Sequence, residues 1–354
     1  MGFTRPVMYP DTARFGDIQF HESRIRCMTR SNSCPDCDSN LSRRDFVRTV
    51  GTAAVAAGSI PLLGGSVAAE ESTTKTATAE TAVKRLYDSL KEEQTKAICF
   101  PFEHKLRKKV NANWGVTDQE IGSDFYTDEQ RELISQIVKG VTSEDGYKRF
   151  LKQMDDDNGG IDQYHCAIFG KPGTNEFQWE LTGRHLTLRA DGDSVKNAAF
   201  GGPIVYGHGE EEFKQNLFYY QTKKANEVFE ALDPKQRKES LKKKAPGENQ
   251  VKLQGPDGKF PGIRVGDLSD DQKELVESVT KTILAPYRPE DVKESLSILK
   301  KNGGLDELRM AFYQQGDLGS DKVWDIWRIE GPSFVVHFRG APHVHAYINI
   351  GVKA

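Results

Sequence analysis

An internal repeat is the sequence feature that most constrains the fold. The segment Thr127–Ile134 has a counterpart in Ser269–Val276, and each begins with a helix N-cap residue followed by acidic residues. Three further matches follow in the same order, at separations of 139 to 148 residues. They are Asn158–Asp162 with Asn302–Asp306, Trp179–Gly183 with Trp327–Gly331, and Gly202–Tyr206 with Ala341–His345. Four matches in one order predict an old duplication.

Each copy is predicted to contain two helices followed by three or four strands. Apolar or alternating runs between turn residues predict the strands. These are Tyr164–Phe169, Phe177–Arg189 and Ala198–Tyr206 in the first copy, and Leu308–Gln314, Val323–Ile329, Phe334–Arg339 and Val344–Val352 in the second. A helix over about 211–232 is predicted between the copies, from its apolar stripe.

The consecutive strands predict the class of fold. Strands that follow one another along the chain favour antiparallel meanders with helices packed on one face, rather than a parallel sheet. We therefore expect an α+β fold with two pseudo-repeated halves, at about 118–207 and 263–354, around a shared core. The helical segment 210–254 would join them within a single domain, 81–354.

The N-terminal region has the features of an export signal. Ser42–Val47 contains a pair of arginines, and the uncharged stretch Thr49–Ala69 follows it. This order is typical of a twin-arginine signal, so residues 1–69 are predicted to be removed or to act as an anchor. Both Met1 and Met28 can serve as start sites, and residues 70–80 read as a linker. We expect the twin-arginine export machinery as a partner, and a periplasmic or extracellular location.

Charge and cysteine content exclude two classes of protein. Without the eight arginines and six acidic residues of positions 1–69, 41 basic and 46 acidic side chains remain, a net charge of about −5. No basic face for nucleic acid is expected from this balance. Only Cys99 and Cys166 remain after position 69, so the chain is not a disulfide scaffold.

The pair His343 and His345 is the strongest candidate for chemistry. Residues i and i+2 of a strand project from the same face, so both imidazoles can reach one ion. A third ligand would come from another element. His185 is the first candidate for it, and His337 and His208 are the next. The ion would be a transition metal, copper, iron, zinc or manganese, although an exposed histidine pair that binds nothing tightly fits the same pattern.

Other kinds of chemistry have less support in the sequence. There is no nucleophile elbow of the G-x-S-x-G type, and Cys99 has no recognisable base partner. Gly201–Pro203 lacks the Lys-Ser/Thr of a phosphate loop. Among the carboxylates, Glu330 is the one candidate for a general base, because it stands beside a turn of the second copy.

Several segments together resemble an uncharacterised bacterial family that is catalogued only as a domain of unknown function, number thirty-five hundred. They are Tyr126–Arg131, Tyr164–Pro172, Trp179–Leu188, Gly331–Val336 and His343–Gly351. Members tend to have Gly-His-His at the position of Gly183–His185, and a His-x-His near the C-terminus. The resemblance implies that His185, His343 and His345 occupy the family's histidine positions.

This chain departs from the family pattern in three places. Arg184 replaces one histidine, and His337 stands where an acid is common. Tyr347–Asn349 replaces the usual Arg-Asp that follows the His-x-His. If the acid and the Arg-Asp pair matter to a family reaction, this protein has altered or lost it.

Two functions of different classes follow from the sequence. The first is an exported metal-binding protein, or a metalloenzyme whose reaction and substrate the sequence does not name. The second is a non-catalytic periplasmic or surface-associated protein that binds a small molecule between its halves and uses its histidines structurally. A carbohydrate-acting enzyme with paired acids is a third reading, but no spacing predicts the paired carboxylates it needs. Convergence of His185, His343 and His345 would favour the first.

Overall fold

The computed structural model describes residues 78–210, 212–318 and 321–353. The predicted twin-arginine signal and most of the predicted linker lie outside these residues. Eight helices are present in the part that is described. They are α1 (Thr78–Ser89), α2 (Glu92–Ile98), α3 (Asp128–Gly140), α4 (Glu144–Asn158), α5 (Tyr219–Ala231), α6 (Pro234–Ser240), α7 (Asp270–Leu284) and α8 (Pro289–Lys301).

Eleven strands are found in the same ranges, and they form one sheet. They are β1 (Cys99–Phe100), β2 (His165–Gly170), β3 (Phe177–Gly183), β4 (Leu186–Ala190), β5 (Ile204–Gly209), β6 (Leu241–Lys242), β7 (Ile263–Arg264), β8 (Arg309–Tyr313), β9 (Ile326–Gly331), β10 (Phe334–Arg339) and β11 (His343–Ile350).

Two meanders meet in the middle of the sheet. The strand order is β1-β2-β3-β4-β5-β11-β10-β9-β8-β6, with β7 also paired to β8. β1 and β6 run parallel to their neighbours at the two edges, and the other pairs are antiparallel. Helices α3 and α4 precede the first meander along the chain, and α7 and α8 precede the second. The α+β class with a mostly antiparallel sheet is confirmed.

Local sequence signals place the helix starts where they were predicted. Thr127 caps α3, since its Oγ1 accepts the Gln130 N–H at 3.3 Å and its own N–H donates to Gln130 Oε1 at 3.1 Å. Ser269 occupies the same position before α7, where its N–H donates to Gln272 Oε1 at 3.0 Å. α5 is shorter than predicted, because Phe213–Gln215 form a separate 3-10 turn before it.

Some strand boundaries also differ from the prediction. The run Phe177–Arg189 was expected as one strand, but His185 adopts a left-handed conformation (φ 58°) and separates β3 from β4. The strand predicted from Ala198 begins at Ile204, because Gly201 and Gly202 have positive φ values in the turn before it. Backbone of this kind cannot continue a strand.

The two faces of the sheet are covered differently. On β11, Val344, Ala346 and Ile348 belong to the main core, which also contains the buried side chains of helices α3, α4 and α7. Tyr347 points to the opposite face, where it packs with Ala112 and Val251 from two long loops. His343 and His345 have the same parity as Tyr347, so they lie on the face that loops cover.

No helix in the described ranges has the length and apolar content that crossing a membrane requires.

Candidate metal centre

Three of the five candidate histidines converge. His343 and His345 lie at the start of β11, in register with Gly209 and Gly207 of β5. His185 lies in the turn before β4, which pairs with the other side of β5. One potential ligand atom from each of the three imidazoles lies within 4.8 Å of the others. The ring centroid of His185 is 5.3 Å from that of His343 and 4.9 Å from that of His345.

Glycines on β5 make room for this convergence. β5 runs between β4 and β11, so a side chain on its loop-covered face would stand between the histidines. A Cβ atom added to Gly209 would lie 3.2 Å from His185 Cε1 and 3.5 Å from His343 Cε1. A Cβ atom on Gly207 would lie 3.3 Å from His345 Cδ2 and 2.0 Å from the carbonyl oxygen of Val344. Because these two positions of β5 have no side chain, the imidazoles on its two sides can approach each other.

A buried carboxylate orients His185. Asp157, at the end of α4, places Oδ2 2.8 Å from His185 Nδ1, while its Oδ1 accepts the Gly209 N–H at 2.8 Å. Burial raises the pKa of Asp157, but the bonds from His185, Gln153 and Gly209 outweigh it and lower the pKa below its ordinary value. The carboxylate is therefore ionised and accepts a hydrogen bond from the Nδ1–H group of His185, which leaves Nε2 with the lone pair that can bind a metal ion.

A second carboxylate contacts His345. Glu248, in the loop after β6, places Oε2 2.7 Å from His345 Nδ1 and Oε1 2.7 Å from Arg339 Nη1. Burial lowers the pKa of His345 to about 4, and the hydrogen bond with Glu248 raises it by less. His345 is consequently neutral at pH 7, the state that a metal ligand requires.

His343 is the most accessible of the three. Its ring is half-buried, and its pKa is lowered by burial and then by His185 and Arg184. Neither of its ring nitrogens has a hydrogen-bond partner among the described residues, so one lone pair is available.

The positive charge of Arg339 disfavours the binding of a metal cation at this site. Its Nη2 lies 2.9 Å from His345 Nδ1 and 3.1 Å from His345 Nε2. A guanidinium stays charged at all accessible pH values, so it must move off Nε2 before a metal ion can bind there. The side chain is 22% exposed, which leaves it a path towards solvent.

His337 and His208 do not join the group. His337 is fully buried on β10, in register with Arg328 and Tyr347. Burial, followed by the charge of Arg328, lowers its pKa to about 3, and neither ring nitrogen has a partner in the described residues. His208 points to the helix-covered face, where Nε2 lies 3.1 Å from Asp156 Oδ2 and Nδ1 accepts the Leu217 N–H at 3.2 Å.

Glu330, the candidate general base, does not lie in the histidine cluster but forms hydrogen bonds with Arg328. Glu330 Oε2 accepts from Arg328 Nε at 2.7 Å, and Oε1 accepts from Arg328 Nη2 at 3.0 Å. This carboxylate belongs to a buried ion pair.

Sequence reasoning missed the residues that surround the histidines. No motif in the sequence marks Asp157, near the end of α4, as the partner of His185. Glu248 and Arg339 give no signal either, since their contact with His345 depends on the path of a loop.

The fold and the site together define an α+β protein with a cluster of three histidines on the loop-covered face of its sheet. A family model described as "Protein of unknown function (DUF3500)" matches residues 72–348, and the chain belongs to this family. No curated protein and no solved structure matches the chain.

Proposed function

We propose that this protein is an exported metalloprotein in which His185, His343 and His345 hold one transition-metal ion. The observation that carries the proposal is the convergence of their ligand atoms within 4.8 Å. Around an ion with metal–nitrogen distances of about 2.0–2.1 Å, tetrahedral imidazole nitrogens lie roughly 3.3 Å apart. Side-chain shifts on the order of 1 Å would therefore complete the site.

The donor set suits a limited group of metals. Imidazole nitrogens favour zinc, copper and iron, while manganese usually takes more oxygen ligands. Three neutral imidazoles leave at least one coordination position open, and a bound ion would supply Lewis-acid, water-activating or redox chemistry there. The chain itself would orient His185 through Asp157 and His345 through Glu248, an arrangement common around metal-bound histidines.

A non-catalytic binding protein is the second candidate. The contact of Arg339 with both ring nitrogens of His345 favours it, because Arg339, Glu248 and His345 then form a structural network. The two candidates differ in what Arg339 does. In the metalloprotein it moves aside when the ion binds, and in the binding protein it keeps His345 occupied.

A metal titration separates the two candidates. The chelator-treated protein would be titrated with Zn²⁺, Cu²⁺, Fe²⁺ and Mn²⁺ by calorimetry at pH 7.5, the Fe²⁺ arm without oxygen. We expect one ion per chain, and a loss of at least a hundredfold in affinity in His343→Ala. His104→Ala, which removes an imidazole stacked on Phe100 away from the cluster, should bind as the wild type does. If none of the four ions binds saturably, the metal proposal is wrong.

Export by the twin-arginine route is part of the proposal. It rests on Arg43 and Arg44 followed by the uncharged stretch Thr49–Ala69. Replacing both arginines with lysine should keep the protein in the cytoplasm, as cell fractionation would show. Normal export of that variant would contradict this part.

We also propose that the two halves arose by duplication. The repeated motifs support this, and so does the order of two helices and four strands in each half. A superposition of α3–β5 on α7–β11 should place Trp179 on Trp327, and failure to do so would contradict it.

A further inference from the structure

A basic cavity lies on the same face of the sheet as the histidine cluster. It has a volume of about 580 Å³, with Tyr313, Arg328 and Glu330 of β8 and β9 at its floor. Its walls come from the chain between Lys242 and Pro261. This loop contains Glu248, which contacts His345, and Gln250, whose carbonyl oxygen accepts from Arg328 Nη2 at 2.7 Å. One loop thus lines the cavity and reaches the histidine cluster.

The floor of the cavity holds two buried donors without partners. Arg328 is 4% exposed, and its Nε and Nη2 are bonded to Glu330 and Gln250. Within the described residues, Arg328 Nη1 has no hydrogen-bond partner. The hydroxyl of Tyr313, 1% exposed, has none there either. A buried donor left unsatisfied costs about 1–3 kcal/mol, and more when it is charged, so native proteins rarely retain one without a reason.

A second buried ion pair on this face has no guanidinium nitrogen without a partner. Arg189 pairs with Glu180 at 3.1 Å, and both are fully buried. Every side-chain nitrogen of Arg189 donates: Nε to the Pro203 carbonyl, Nη1 to Arg107 O and Glu180, and Nη2 to Lys109 O. Backbone carbonyls of two segments satisfy Arg189, whereas Arg328, which lines the cavity, keeps one nitrogen without an acceptor among the described residues.

The walls of the cavity are strongly cationic. Five lysines line it, namely Lys242, Lys243, Lys244, Lys252 and Lys259. In the described part of the chain, none of them has a carboxylate within 4.0 Å. Glu330, the one acidic residue of the lining, is already paired bidentately with Arg328 and also accepts from Gln254 Nε2 at 3.0 Å. The cavity therefore presents uncompensated positive charge to its contents.

We propose that this cavity binds a small polyanion whose acidic groups are oxyanions. One oxyanion accepts from Arg328 Nη1 and from the Tyr313 hydroxyl at the floor, and further acidic groups interact with the lysines at the walls. A guanidinium and a hydroxyl that converge on one oxyanion make charge-assisted hydrogen bonds, the strong kind. The volume lies within the range of small-molecule sites, about 300–1,000 Å³. A tricarboxylate, an acidic sugar or a diphosphate would fit by size and charge.

The site does not depend on the metal proposal. Its two floor donors stand on β8 and β9, while the histidines stand in the β3–β4 turn and on β11. Binding can therefore be measured in a His343→Ala background, which removes one metal ligand, so that citrate is not held through a metal ion, and keeps the contact of the loop with His345. Failure of one proposal is then distinguishable from failure of the other.

Calorimetric titrations with three probes test the proposal. Citrate represents carboxylate ligands, inorganic pyrophosphate represents phosphate ligands, and glucose is the neutral control. We expect saturable 1:1 binding of citrate, of pyrophosphate or of both, and no binding of glucose. Whichever anion binds more tightly identifies the class of oxyanion. The same titrations in the His343→Ala variant should give the same affinities, because this variant keeps the contact of Glu248 with His345.

Two sets of variants locate the binding. Tyr313→Phe removes only the hydroxyl and should weaken anion binding about tenfold or more, since a hydrogen bond to a charged group is lost. The triple replacement of Lys243, Lys252 and Lys259 by glutamine should also weaken it at least tenfold. These lysines are exposed, so the fold is kept. The matched control replaces Lys235, Lys300 and Lys301, which are equally exposed, and should leave affinity within twofold.

Two results would overturn the proposal. One is the absence of binding of both anions to the wild type at 1 mM ligand. The other is binding that is unchanged in Tyr313→Phe and in the triple lysine variant, because the anion would then sit elsewhere on the protein.

Discussion

Replacing His337 with leucine should stabilise the protein. His337 is fully buried, and neither ring nitrogen has a partner among the described residues, although a neutral imidazole always carries one N–H. An unsatisfied buried donor costs about 1–3 kcal/mol. Leucine is close in volume and has no polar atom, so the free energy of unfolding at pH 7.5 should rise by about that amount.

The difference should grow in acid. The pKa of His337 falls from an ordinary 6.5 to about 3 in the folded protein. As pH drops below 6.5, the unfolded chain therefore takes up a proton that the folded protein does not, and the wild type loses stability down to about pH 3. At pH 5 this linkage amounts to roughly 2 kcal/mol. The leucine variant has no such group, so its advantage at pH 5 should reach about 3–5 kcal/mol.

Urea unfolding at pH 7.5 and pH 5.0, followed by circular dichroism, measures both differences. His208→Leu is the matched control, because His208 is equally buried but both of its ring nitrogens are bonded. That variant should lose about 1–3 kcal/mol at pH 7.5. A His337→Leu variant that is less stable than the wild type by more than 1 kcal/mol would refute the reasoning, since it would show that the imidazole has a partner.

Three further predictions concern the histidine cluster. Gly209→Ala should lower metal affinity at least tenfold in the calorimetric titration. The added Cβ would lie 2.8 Å from Asp157 Oδ1 and displace the His185–Asp157 pair. A variant that binds metal as tightly as the wild type would contradict this. Arg339→Gln should raise metal affinity about tenfold, because it removes a cation 3.1 Å from His345 Nε2. A lower affinity would instead favour the structural network of Arg339, Glu248 and His345. Asp157→Asn should weaken metal binding about 10- to 100-fold while the far-ultraviolet spectrum stays unchanged, and an equal affinity would show that Asp157 does not orient the ligand.

Much of the fold could be predicted because its signals are local. The capping residues Thr127 and Ser269 stand one residue before α3 and α7, and strands between turn residues gave the α+β class. The edge strands β1 and β6 were missed because each has two residues, too few for any periodicity. The break at His185 was missed as well. A left-handed residue between two apolar strands leaves little trace in the pattern when it is not glycine.

The histidine cluster could be predicted from the sequence only where two candidate metal ligands lie on the same strand. His343 and His345 follow the two-residue period of a strand, so their common face could be read from the sequence. The approach of His185 depends on strand order, which places β4 and β11 on either side of β5. Glu248 and Arg339 are 91 positions apart in the sequence and meet only through the loop after β6. His337 was predicted as a fourth candidate by its residue type, but its position on β10 leaves it outside the group.

Metal content of the natively exported protein tests the central claim most directly. The protein would be purified without a histidine tag and measured by elemental mass spectrometry, beside the His343→Ala/His345→Ala variant. The account predicts about one equivalent of zinc, copper or iron in the wild type, and its loss in a variant that still folds. A wild-type protein without metal, whose thermal stability does not change when metal is added, would contradict it.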